Sequence, residues 1–191
     1  MKDTVKGAIA THKKLLARFE RAGTDVVVQM AEGIIDCFKR GGRVYLCGNG
    51  GSAADCQHIA AELVGRFRRE RTALPAVALS TDTSLLTSVG NDYGFEEVFR
   101  RQVEGLVEKG DILWAFSTSG ASANILAAAR RAKEKGAKVL AFTGRSDSEL
   151  EKIADLCLCV DTPQTSTAQE IHQVAYHIIC DLVETKLCGR R

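Results

Sequence analysis

Short apolar runs alternate along the chain with longer stretches of helical periodicity. Residues 3–40 read as two amphipathic helices, with a break near "RAGTD" and a stop at Gly41-Gly42. Beyond them "RVYLCG" is a short buried strand, residues 52–67 form a helix, and "PAVALS" is a second strand. A polar, partly helical stretch follows through "SVGNDYG", and then "FEEVFRRQVEGLV" has helical spacing. "DILWAFS" is a third strand, and "ASANILAAARRAKEKG" is a helix that ends at Gly136. "KVLAFTG" and "LCLCVD" add two strands around a short helix, and a long final helix covers residues 168–187. Short apolar runs separated by helices predict buried parallel strands with helices on both faces. Five such strands after two extra helices predict a flavodoxin-like doubly wound α/β domain. In such a sheet, ligands sit beyond the carboxyl ends of the strands.

Composition narrows the class. At 191 residues, 45% of them apolar, the chain suits one globular domain with its own core. The net charge of +2 is spread along the sequence, which argues against nucleic acid or a membrane surface as the main partner. The densest basic run, "GRFRRERT" at residues 65–72, is expected to be a solvated helix end. No segment reaches the ~20 apolar residues that span a bilayer. The amino-terminal stretch has neither the apolar core nor the cleavage site of a secretory signal. Seven cysteines, an odd number with no CxxC pair, fit reduced thiols in a soluble cytoplasmic protein.

Two strand–loop–helix units carry the first chemical signal. "CGNGGS" closes the first strand and "STSGAS", residues 117–122, closes the third. A helix start presents unpaired backbone N–H groups and the positive end of the helix dipole, which suits an anion. Glycine permits close backbone approach, and hydroxyls donate to phosphate oxygens without adding charge. A single serine here would be an ordinary cap. Four hydroxyls in six residues directly after a buried strand point instead to a phosphate site. Gly48-x-Gly50-x-x-Ala53 also matches the dinucleotide fingerprint, but the acidic residue expected at the tip of the second strand is missing, since that strand ends in Ser80.

The second signal is a set of titratable residues at helical spacing. His58 and Glu62 are four apart and share a helix face. On the last helix, Gln169 and His177 lie about 80° apart around the axis, with His172 turned roughly 100° from their mean direction. His172 is therefore expected to be structural. The axial gap from Gln169 to His177, roughly 12 Å, lets both touch one small ion only if the helix start is bent or frayed. Periodicity leaves a metal site open. His and Glu suit zinc, whereas Gln is an uncommon ligand.

With these residues in view, the chain resembles the phosphoheptose isomerases of the sugar-isomerase (SIS) domain family over nearly its whole length. The resemblance is carried by "CGNGGSAADCQHIAAELVGRF", "SVGNDYGFEEVF", "GDILWAFSTSGASANI" and "QEIHQVAYHIICDLVE", in that order. It implies a single SIS domain whose helices at residues 1–40 make oligomer contacts, and a homotetramer with active sites at subunit contacts. It also implies interconversion of D-sedoheptulose 7-phosphate and D-glycero-D-manno-heptose 7-phosphate, the first step towards nucleotide-activated heptose for bacterial surface polysaccharide. One zinc per site would be held by His58, Glu62, Gln169 and His177. Substrate contacts would come from Asn49, Gly50, Gly51, Ser52, Asn91, Asp92, Ser117, Thr118, Ser119, Ser122 and Gln169, with Arg66 and Glu62 beside them. Two positions depart from the family pattern: Ala121 where Asn is common, and Ser166 where a substrate-facing Asp is common.

The chemistry suits these residue types. Moving a carbonyl between C2 and C1 through an enediolate needs a base that carries a proton between the two carbons, and an acid for the oxygens. Glu62 is expected to be the base and His177 the acid, with zinc as a Lewis acid. The competing expectation is a non-catalytic SIS protein, such as a replication-initiation adaptor that binds the initiator protein. Such relatives lack the Glu at position 62 and the His at position 177, and both are present here.

Overall fold

The structure, a computed structural model, describes residues 1–188. Two helices come first, α1 (Lys2–Ala22) and α2 (Thr24–Lys39), meeting at Gly23. An alternating unit follows: β1 (Val44–Cys47), α3 (Gly51–Val64), β2 (Ala76–Ala78) and α4 (Thr83–Asp92). A 3-10 turn (Phe95–Glu97) leads into α5 (Val98–Leu106), then β3 (Ile112–Ser117) and α6 (Ala123–Glu134). The chain finishes with β4 (Lys138–Thr143), α7 (Glu149–Ile153), β5 (Leu156–Cys159) and α8 (Thr165–Cys188). All strand pairs are parallel, in the order β2-β1-β3-β4-β5. This is the flavodoxin-like order, with its switch point between β1 and β3.

The strands are apolar on both faces because helices cover both. In β3, Ile112, Trp114 and Phe116 face a layer built by Met30 and Ile34 of α2, Ile59 and Leu63 of α3, and Tyr176, Ile179 and Val183 of α8. Leu113 and Ala115 face the opposite layer, where Val98, Phe99 and Val103 of α5 meet an alanine-rich face of α6 and Leu150 of α7. Trp114, Phe116 and Phe142 pack with ring centroids 4.9 to 5.5 Å apart in tilted and edge-on geometry. Each such pair is worth roughly 0.5–1.5 kcal/mol beyond area burial.

α1 stands apart from this economy, since none of its residues is buried. Arg18 donates to the carbonyls of Val160 and Asp161, and His12 pairs with Glu170. A cavity of about 210 Å³ lies between α1 and the edge strand β5, lined in part by Leu15, Phe19 and Ile171. All seven cysteines are free, and Cys37, Cys47, Cys56 and Cys180 are buried. Among the described residues no helix is long and apolar enough to cross a membrane.

Three boundaries differ from those the pattern predicts. α4 is a full helix because Asp82 caps it, accepting from the N–H of Leu85 at 2.9 Å. α8 begins at Thr165, a turn earlier than its apolar periodicity suggests. α3 ends at Val64 rather than at residue 67. The basic run at 65–72 is thus not a helix end. It is an ordered loop, and Arg71 within it is buried against the buried carboxylate of Glu184.

Candidate active site

The loops after β1 and β3 lie side by side because those strands are hydrogen-bonded neighbours. A reciprocal amide pair joins them: Asn49 Nδ2 donates to Asn124 Oδ1, and Asn124 Nδ2 donates to Asn49 Oδ1, both at 2.9 Å. Gly50 takes φ +55°, a region costly to any residue with a Cβ. A Cβ on Gly51 would lie 2.7 Å from the amide of Gln169, so glycine there lets α8 approach the start of α3. In the second loop, Ser117 Oγ lies 3.0 Å from Ser122 Oγ and 3.4 Å from Ser119 Oγ. Thr118, with Ser119, lines a small cavity beside Arg145, Thr162 and Thr165. The N-cap residues Gly50 and Ser122 make no side-chain cap to α3 or α6, although Asn124 Oδ1 accepts from the N–H of Ile125 at 3.0 Å, whereas Asp82 and Ser148 cap α4 and α7. The two helix starts behind these loops therefore keep their dipole ends available for an anion.

α3 and α8 run in parallel against each other, which carries the second group of residues. Gln169 donates to Ser52 Oγ at 3.4 Å, a long bond, at the amino end of α3. Further along, Tyr176 reaches Asp55 and His58, and His177 packs beside His58 with ring centroids 5.0 Å apart. His58 Nε2 is 3.0 Å from Glu62 Oε1. Ligand atoms of His58, Glu62 and His177 all lie within 4.8 Å of one another. Gln169 belongs by its contacts to the phosphate-loop end of the helix pair. His172, as its helical phase predicts, points into the core, where Nε2 bonds the carbonyl of Thr143 at 3.1 Å.

Arg66 is exposed and faces Glu70 at 4.0 Å. Asn91 and Asp92 close α4, exposed and bonded to each other at 2.9 Å. Among the described residues no hydrogen bond links these three to the loops or to the cluster.

The electrostatics of the cluster favour metal ligation. Burial, with the neighbouring His58 and Arg68 charges, lowers the His177 pKa against the opposing pull of Glu62, so its imidazole is neutral near pH 7. Burial pushes Asp55 up to about 6, against the hydrogen bond from Tyr176 and the His58 charge. Tyr176 Oη lies 3.4 Å from Asp55 Oδ1 and 3.2 Å from His58 Nδ1. His58 Nε2–H donates to Glu62 Oε1, so Nδ1 accepts from the Tyr176 phenol. A metal at Nε2 would move that proton to Nδ1, where the phenol can accept it while donating to Asp55. Two imidazoles and one carboxylate at this spacing can hold a divalent cation or pass protons. The sequence reading missed Asn124, Asp55 and Tyr176. Asp55 stands three residues before His58 on the same helix face, a spacing that was available as a signal.

The sequence profile of the SIS domain matches residues 9–144. Phosphoheptose isomerase from Roseiflexus sp. (strain RS-1) is 53% identical over 162 residues, covering 85% of this chain and 82% of that protein. The chain belongs to the phosphoheptose isomerases of the SIS domain family. The phosphoheptose isomerase of Pelobacter propionicus is 44% identical over 187 residues, 98% of this chain and 99% of its own length. Its match extends across α8, which lies beyond the SIS profile and supplies Gln169 and His177. Among solved structures, phosphoheptose isomerase from Neisseria gonorrhoeae superposes with a TM-score of 0.91 at 40% identity, covering 96% of this chain and 98% of that one. The Francisella tularensis phosphoheptose isomerase gives 0.92 at 34% identity, with 96% and 97% covered.

Proposed function

We propose that the chain interconverts D-sedoheptulose 7-phosphate and D-glycero-D-manno-heptose 7-phosphate, supplying heptose for nucleotide activation and surface polysaccharide. The observation that carries this reading is the convergence of Glu62, His58 and His177 in a phosphoheptose isomerase relative. A non-catalytic adaptor has no use for that cluster.

Zinc fits the donor set: His58 offers Nε2, His177 is neutral, and Glu62 supplies a carboxylate, with Gln169 proposed as the fourth ligand after releasing its long bond to Ser52. When bound, the metal supplies Lewis-acid stabilisation of negative charge on the sugar oxygens. The remaining work belongs to the chain. Ser52, Ser117, Thr118, Ser119 and Ser122 bind the phosphate with Gly50, Gly51 and the two helix starts. Asn49, Asn91, Asp92, Arg66 and Gln169 are assigned to the sugar. Glu62 takes a proton from C1 of the ketose and returns it to C2, while His177 moves protons between the two oxygens. Glu62 is asked both to bind metal and to act as base, and it does one at a time.

We further assign the protein to the cytoplasm, as a homotetramer with its sites at subunit contacts. Exposed Val174, Ile178 and Leu182 form an apolar stripe along α8 next to His177, and this supports the assembly. The deciding experiment incubates purified protein with sedoheptulose 7-phosphate and follows the aldose by NMR. Wild type should form it, while Glu62→Gln, which keeps the shape and removes the proton acceptor, should be folded and inactive. Activity above a few per cent in the variant would sink the base assignment.

A further inference from the structure

Segment 65–72, the densest basic run in the sequence, has no role in the proposal above beyond Arg66. Its structure is unusually well tied. The Glu184 carboxylate, 1% exposed, accepts from the backbone N–H groups of Phe67 at 3.0 Å, Arg68 at 2.7 Å and Arg69 at 2.9 Å. It also pairs with Arg71, whose Nε stands 3.3 Å from Oε1. The Arg71 guanidinium then donates to the carbonyls of Glu62 at 2.7 Å, Leu63 at 2.7 Å, Gly65 at 3.2 Å and Thr72 at 3.1 Å. These include the last carbonyls of α3, which a helix end leaves without intrahelical partners. Glu184 lies two turns beyond His177 on α8. Between the two, the ring of Phe67 stacks on His177 at 5.5 Å and 17°.

We propose that Glu184 and Arg71 are positioning residues: their buried pair fixes the end of α3 to α8, and so sets Glu62 against His177. Through the loop, the same pair holds Phe67 flat on the His177 ring and limits its rotation. The inference rests on the isomerase reading for its catalytic consequence, but not for its metal-binding one. A guanidinium is suited to the task because its planar fork reaches one carboxylate and several carbonyls together, which an ammonium cannot do.

The test compares wild type, Glu184→Gln and Arg71→Lys as full-length proteins. Zinc affinity is measured with Zn²⁺ alone against a competing chelator dye, kcat and KM with sedoheptulose 7-phosphate, and fold by circular dichroism. Outer-shell partners of metal sites are typically worth about 10–100-fold, so zinc affinity and kcat should each fall about tenfold or more, with KM changed less than about threefold. A folded variant whose zinc affinity and kcat stay near wild type overturns the proposal, as does a change in KM alone. Should Glu184→Gln fail to fold, Arg71→Lys, which keeps the buried charge, carries the test by the same criteria. If zinc affinity falls but wild type makes no aldose, the positioning role stands and the isomerase reading fails. If wild type is active and both quantities hold in the variants, the reverse is true.

Discussion

His172 and His177 sit on one helix, and their surroundings give them opposite chemistry. His177 lies in the cluster with His58 and Glu62. His172 is fully buried against Phe116 and Phe142, and burial lowers its pKa to about 4 despite the hydrogen bond to Thr143. His177→Gln should therefore lose activity and most bound zinc, while His172→Gln keeps its metal, as mass spectrometry of the two purified proteins would show. The acid behaviour of His172 follows from linkage. Below pH 6.5 the unfolded chain protonates this imidazole while the folded chain does not, so stability drains away as pH falls from 6.5 to about 4, then levels off. The loss is on the order of 3 kcal/mol at this one site. Asp55, raised to about 6, works in the opposite sense as pH falls. The informative quantity is thus the difference between wild type and His172→Gln: the variant's melting temperature should fall less between pH 6.5 and 4. Parallel curves would contradict the buried, neutral assignment.

At the scale of elements, the phosphate loops depend on what joins them as well as on their hydroxyls. Ser119→Ala with Ser122→Ala removes two donors, and inhibition by inorganic phosphate should weaken by about thirtyfold, given roughly 1 kcal/mol for each hydrogen bond. Asn124→Ala should act through Asn49 instead, raising KM while leaving zinc content unchanged, as titration and metal analysis would report. The strands and most helices were legible in the sequence because buried parallel strands are plain apolar runs, and amphipathic helices repeat with their own period. The serine loops and His58-x-x-x-Glu62 were legible for the same local reason. What was not legible depended on long-range pairing. Nothing near Arg71 announces that Glu184, far along the chain, removes it from solvent and ends α3 early. Nor does spacing reveal that Gln169 would rest on Ser52, since that requires the parallel packing of α3 on α8.

For the whole molecule, the exposed apolar surface is the informative feature. α1 offers Val5, Ile9 and Leu16 to solvent and packs only Phe19 partly against the core, although isolated helices are marginal in water. On α8, Val174, Ile178 and Leu182 continue towards a groove of about 390 Å³ shared with α2, lined by Val28, Ile35 and Leu182 among others. Apolar stripes of this kind usually mark interfaces. Ile178→Asp should therefore lower the assembly mass seen in analytical ultracentrifugation and reduce activity, with the secondary structure retained. A variant that sediments like wild type would remove this stripe's support for the proposed assembly.

The cysteines give the fold a native clock. Burial pushes the Cys47 thiol up to about 12, and Cys56 also rises well above its ordinary value. Neither can react as a thiolate while the domain is closed. Cys47 is the last residue of β1, immediately before the glycine loop, and Cys56 sits a turn inside the helix that follows. Cys188 is exposed. In a thiol-labelling time course Cys188 should react at once, providing the internal standard. The slow modification of Cys47 and Cys56 would then time how often the switch point itself comes apart.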